Sequence, residues 1–164
     1  MTISGLNGLS RSRAAAELLK CCGSHRWAKA MAAARPFATL DAMQRKSDEI
    51  WGSLGKTDWL EAFAAHPRIG GKKKESKTAE WSAEEQSAAA AAGGDMKAKL
   101  AALNDLYERR FGHIFIVCAT GKSAGEMLEL LEARLANGPH AELANAAEEQ
   151  RKITNLRLAK LVDA

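Results

Sequence analysis

Along most of the chain apolar residues recur every three or four positions, and small or polar residues punctuate the gaps, a pattern of helices that bury one face. The first stretch runs from about Ser10 to Cys21. Ser24 is placed to cap a second, RWAKAMAAA, which must stop before Pro36 because a residue ahead of proline disfavours helical geometry. Asp41 is placed to cap a third helix to about Leu54, and Thr57 a fourth, DWLEAFAAH, that Pro67 ends. A glycine- and lysine-rich loop, IGGKKKESKTAE, follows. Ser82 is expected to open a short alanine-rich helix closed by Gly93 and Gly94, and Asp95 to cap a longer one.

Within that longer helix Met96, Leu100, Leu103, Tyr107 and Phe111 form a single apolar stripe, and Gly112 ends it. The next segment, HIFIVCA, has β-branched and aromatic character but no partner strand elsewhere in the chain. It reads as a short extended piece buried between helices. Ser123 and Glu126 have the spacing of a capping box for SAGEMLELLEARLAN, which stops at Asn137-Gly138-Pro139, and a last helix runs from about His140 to Val162. With no repeat and no linker, the pattern predicts one all-α domain over residues 1–164 with seven to eight helices.

Composition narrows the partners. The chain has 164 residues, 46% hydrophobic and 27% charged, with a net charge of only +4, which is globular and neither disordered nor strongly basic. The longest apolar runs, AAAAA at 88–92 and IFIVCA at 114–119, are too short to span a bilayer, and the first twenty residues lack the apolar core of a signal peptide. Three cysteines, two of them vicinal, make no disulfide framework. The expectation is a soluble, cytoplasmic protein with no membrane partner.

Three decoys fall away. IFIVCATGKS ends like a phosphate-binding loop, but the first glycine of that motif would stand at Ile116, so Thr120, Lys122 and Ser123 read as loop and helix cap. Lys72, Lys73, Lys74 and Lys77 are interrupted by Glu75 and have no interleaved aromatics, so no nucleic-acid partner is expected. Cys21, Cys22 and His25 lack the paired spacing of a zinc site, and buried thiols at a helix end explain the cysteines; no metal is expected.

Three stretches carry chemistry. His66, in HPRIG, stands at a helix end that favours a protonated imidazole, so it serves either as a proton donor or as a plain cap. In WSAEEQ, Ser82 and Glu85 have capping-box spacing, yet Glu85 and Gln86 together also offer the donors and acceptor that grip a urea or amide-rich ligand. Arg157 shares a helical face with Ile153 and Leu161, where a guanidinium needs an anion, either a structural carboxylate or that of a ligand.

Together with LNGLS, CCGSHRWAKAM, Arg35-Pro36-Phe37, RFGHIFIVCATGKSAGEMLELLEARLAN and KITNLRL, these stretches resemble the family of 2-oxo-4-hydroxy-4-carboxy-5-ureidoimidazoline (OHCU) decarboxylases over nearly the whole chain. HPRIG followed about a dozen residues later by S-x-x-E-Q is the most specific element. The resemblance implies an all-α, usually homodimeric carboxy-lyase that needs no metal and no organic cofactor and completes the conversion of urate to (S)-allantoin. It implies a catalytic role for His66. It implies substrate binding by Pro67, by Ser82, Ala83, Glu84, Glu85 and Gln86, by the backbone of Phe115, Ile116, Val117, Cys118 and Ala119, and by Arg157. Ser87 departs from the small apolar residue usual after Glu-Gln, and the lysine loop has no implied role. The rival classes are a helical scaffold without catalysis and a basic nucleic-acid adaptor.

Overall fold

A computed structural model of the chain describes residues 1–68, 77–85, 87 and 93–163. Gln86, the lysines at 72–74 and the alanine run at 88–92 lie outside the described residues. Every regular element among the described residues is a helix: α1 Ile3–Gly8, α2 Arg11–Leu19, α3 His25–Ala34, α4 Leu40–Ser53, α5 Lys56–Ala64, α6 Lys77–Glu85, α7 Gly94–Phe111, α8 Ala124–Leu135 and α9 Pro139–Val162. The chain is all-α, with more helices among the described residues than the seven or eight expected. It divides into two compact units, Met1–Ala65 with Gln150–Ala164, and His66–Glu149.

In the first unit hydroxyl side chains start four helices: Thr2, Ser10, Ser24 and Thr39 accept from Gly5, Arg13, Trp27 and Ala42 N–H at 2.9–3.3 Å. Thr39 therefore takes the place expected for Asp41, which sits in the first turn of α4, where a carboxylate still meets the positive end of the helix. The expected cap at Thr57 is likewise replaced by Gly55, one residue ahead of α5. The core of this unit gathers Leu6, Leu18, Trp27, Met31, Met43, Phe63, Leu158 and Leu161, all fully buried. Trp27 keeps its indole N–H satisfied on Ser47 Oγ at 3.2 Å. At the α2–α3 turn a Cβ added to Gly23 would lie 2.4 Å from Ala65 Cβ, so only glycine fits there.

Two of the motifs behind the resemblance are structural. Arg35 donates to the Leu6 and Leu9 carbonyls at 2.8 Å and to Asn7 O at 3.3 Å, satisfying the open carbonyl end of α1. Asn7 in turn exchanges two hydrogen bonds with the Phe37 backbone, at 2.8 and 2.9 Å. LNGLS and Arg35-Pro36-Phe37 thus fasten one loop to one helix end.

The second unit is built on the stripe expected along α7. Leu100 and Tyr107 from that helix meet Phe115, Val117 and Ala119 from the following segment and Met127 and Leu131 from α8, with Met96, Leu103 and Phe111 packed around them. Gly112 ends α7 at φ 79°, a left-handed conformation that favours glycine. Residues 113–119 form neither helix nor strand, as expected for an extended piece between helices. Ser123 then caps α8, accepting from Glu126 N–H at 3.1 Å while its hydroxyl meets Glu126 Oε1 at 3.2 Å. The expected cap at Asp95 moves to Gly93, which leaves Asp95 in the first turn.

Candidate active site

The irregular segment Phe115–Ala119 is buried throughout; Ala119 O accepts from Lys122 N–H at 3.0 Å, while the peptide groups of Ile116 and Cys118 take side chains as partners in place of a helix or strand ladder. Three side chains serve them. Arg134 Nη1 donates to Ile116 O at 2.5 Å, Glu149 Oε1 accepts from Cys118 N–H at 3.3 Å, and Lys122 Nζ donates to Cys118 O at 2.7 Å. Burial pushes the Cys118 thiol up, Lys122 opposes that rise, and the carboxylates of Glu149 and Glu85 add to it. Glu85 on α6 therefore stands within electrostatic reach of Cys118, which brings together two stretches that the sequence analysis singled out separately.

The expectation that Ser82 opens its helix is overturned. Nothing between Lys77 and Trp81 breaks a helix, and α6 already begins at Lys77 with Glu80 in its first turn, so Ser82 and Glu85 lie inside it, not at its cap. Three residues apart on the helix, they share a side with Trp81: Trp81 and Ser82 are buried and Glu85 is half-buried, whereas Glu84 is exposed. Ala83 lies on the same helix, and Gln86 is outside the described residues. His66 and Pro67 are half-buried non-helical residues at the start of the second unit. Arg68 pairs with Glu108 at 2.5 Å and Asp105 at 3.6 Å on α7, so it serves as a surface cation there.

Arg157 belongs to the first unit. It is buried on α9, and its Nη1 donates to the carbonyl of Lys20, the C-cap of α2, at 3.4 Å. That carbonyl end carries the negative pole of the helix, a partner for a guanidinium that helical spacing could not have supplied. Beside it burial drives the Cys21 and Cys22 thiols up to about 12 against the pull of the Arg157 charge. Among the described residues no three His, Cys, Asp or Glu side chains converge as metal ligands would.

Sequence reasoning missed the groups behind the irregular segment. Lys122 is hidden in the sequence by its place in the phosphate-loop decoy. Glu149 lies four residues before Ile153, the same spacing that singled out Arg157 on this helix, and could have been found by it. Arg134, Glu142 and Tyr107 form a buried knot. Arg134 Nε pairs with Glu142 Oε1, Tyr107 donates to the same oxygen at 2.7 Å, and Asn137 and Asn145 donate to Oε2 at 3.0 and 3.1 Å. Burial works against the Glu142 charge, yet the bonds from Asn137, Tyr107 and Asn145 and the Arg134 guanidinium together hold its carboxyl below the usual glutamate range. Burial, then the bond to that carboxylate, pushes the Tyr107 phenol up.

The chain matches a family model described as OHCU decarboxylase over residues 7–159. It is 41% identical over 145 residues to the uric acid degradation bifunctional protein TTL of Arabidopsis thaliana, covering 86% of this chain and 45% of that protein. The chain thus spans less than half the length of that relative. It is 33% identical over 138 residues to the 2-oxo-4-hydroxy-4-carboxy-5-ureidoimidazoline decarboxylase of Amia calva, covering 82% of this chain and 79% of that enzyme. Its fold matches a crystal structure of OHCU decarboxylase in the presence of (S)-allantoin with a TM-score of 0.80 and 41% identity, over 90% of this chain and 98% of that one.

Proposed function

The chain belongs to the OHCU decarboxylase family, and from that membership we propose that it converts OHCU to (S)-allantoin by loss of carbon dioxide, the last step of the urate branch of purine breakdown. The observation that carries the reading is the family match across residues 7–159, which takes in HPRIG, the α6 carboxylates and the irregular segment together. The electrostatic coupling of half-buried Glu85 to Cys118 supports it, because Cys118 belongs to the backbone assigned to the substrate. The match crosses both compact units, which supports treating residues 1–164 as one functional domain.

In this reading the substrate carboxylate is held by Arg157 so that the breaking bond overlaps the adjacent C=N of the ring. Carbon dioxide leaves neutral. The electron pair passes into the ring, which is its own sink, and the resulting ring carbon takes a proton. His66 moves the protons, and delivery to one face sets the chirality of the product. Glu85 and Gln86 hold the hydroxyl and ureido groups; Pro67, Ser82, Ala83, Glu84 and the backbone of Phe115, Ile116, Val117, Cys118 and Ala119 complete the substrate contacts. Among the described residues no helix is long and apolar enough to cross a membrane. The same reading carries a cytoplasmic homodimer, which native mass spectrometry of the full chain tests.

Replacing His66 by alanine is the test of the assignment. Consumption of OHCU generated in place from urate should fall to the uncatalysed rate while far-ultraviolet circular dichroism stays helical. A folded, fully active H66A enzyme would remove His66 from the chemistry.

A further inference from the structure

A buried ion pair is weak evidence for stability, since well-packed apolar residues often do as well in its place. The placement of Arg134 says more than its charge. Each of its nitrogens has its own partner. Nε pairs with Glu142, Nη2 meets the Tyr107 hydroxyl at 3.4 Å, and Nη1 reaches Ile116 O. Its guanidinium carbon lies 4.6 Å from the centroid of the Phe115 ring and 5.8 Å from that of Tyr107. The planar fork is thus immobilised on one side by a carboxylate with three further donors, and on the other it holds a carbonyl and a ring of the segment that has no ladder of its own.

We propose that Arg134 is a positioning residue for the decarboxylation: bolted to Glu142 and Tyr107, it sets the path of Phe115–Ala119 through the Ile116 carbonyl and the Phe115 ring, and so the placement of the backbone that meets the substrate. The proposal rests on the reading above, in which that backbone lines the substrate site. Lysine keeps the charge but has no planar fork, so it cannot serve Glu142, Tyr107 and Ile116 at once. A shift of the segment by a fraction of an ångström weakens substrate binding without touching the proton-transfer group.

The test compares R134K with N145A in the full chain. Among the described residues Asn145 donates to Glu142 Oε2 and makes no bond to Arg134 or the segment, so its loss loosens the knot and leaves the clamp. With R134K, KM for OHCU should rise about tenfold while kcat stays within about threefold, and alkylation of Cys118, followed by peptide mass spectrometry against buried Cys21 and Cys22, should accelerate. N145A should change neither. Should R134K fail to fold, the R134M/E142L pair, which strands no charge, takes its place with the same expectations. An unchanged KM in the arginine variant, or an equal rise in N145A, would overturn the proposal. Absence of turnover in the unmodified chain would strike the functional reading instead, and the Cys118 rate would then decide whether Arg134 holds the segment.

Discussion

Each unit contains an arginine that organises a stretch of irregular backbone, and the two do so by opposite means. Among the described residues Arg35, in the first unit, donates to carbonyls alone: Leu6, Asn7 and Leu9 at the end of α1 and Ala32 within α3. Arg134, in the second, is 8% exposed and pairs with Glu142, which is fully buried. Neutral carbonyls at a helix end tolerate losing their cation, because nothing charged is left behind in the protein. A buried carboxylate does not. The same residue type is therefore a replaceable clasp in one place and part of an indivisible set in the other.

The largest stability loss should come from breaking that set. R134M strands the Glu142 charge and should cost about 3–5 kcal/mol, against about 2 kcal/mol for R35M, read as shifts of the urea midpoint. Comparable losses in the two variants would erase the contrast.

Glycines sharpen it next. Gly23→Ala should cost about 1–3 kcal/mol through overlap with Ala65, and the added change Ala65→Gly should recover most of that. Gly112→Ala meets no side chain but must adopt φ 79°, which should cost about 1–2 kcal/mol with no such rescue.

The pH response should separate the units as well. Glu142 titrates lower in the folded chain than its ordinary 4.5, so its contribution is present above that pH and is lost as pH falls through the lower folded value. Cys21 and Cys22 titrate at about 12 instead of 9.0, so their contribution is complete below pH 9 and is lost as pH rises from there, by about 1.4 kcal/mol per pH unit for each thiol. Urea midpoints across pH should show an alkaline decline that C21A/C22A flattens and an acid decline that E142Q reduces. The smallest effect should be R68Q on the exposed pair with Asp105 and Glu108, at most about 0.5 kcal/mol.

The difference between the arginines also marks where sequence reading stops. Caps at Ser24 and Ser123, the start of a helix near Ser10, the α7 stripe and the unpartnered HIFIVCA segment follow from local spacing and were legible. Caps at Thr39, Gly55 and Gly93 each fall two residues before the expected Asp41, Thr57 and Asp95; for Asp41 and Asp95 the reason is that an acidic residue in the first turn and one at the cap leave the same mark. The six residues of α1 are too few to show a period. S-x-x-E reads alike at a helix start and inside one, so spacing alone could not place Ser82. Arg157 was legible as a buried cation, but its partner at Lys20 is 137 residues away, and the pairing of Arg134 with Glu142 and Tyr107 joins three helices. Only the fold brings such groups together.

Stereospecific decarboxylation is visible in the optical activity of the product. OHCU should be generated in place from urate by a uricase and a hydroxyisourate hydrolase, the full chain added, and the circular dichroism of allantoin followed. Rapid growth of the (S)-allantoin signal, far ahead of the enzyme-free control, is the predicted result. Racemic allantoin forming at the control rate in the presence of folded protein would contradict it.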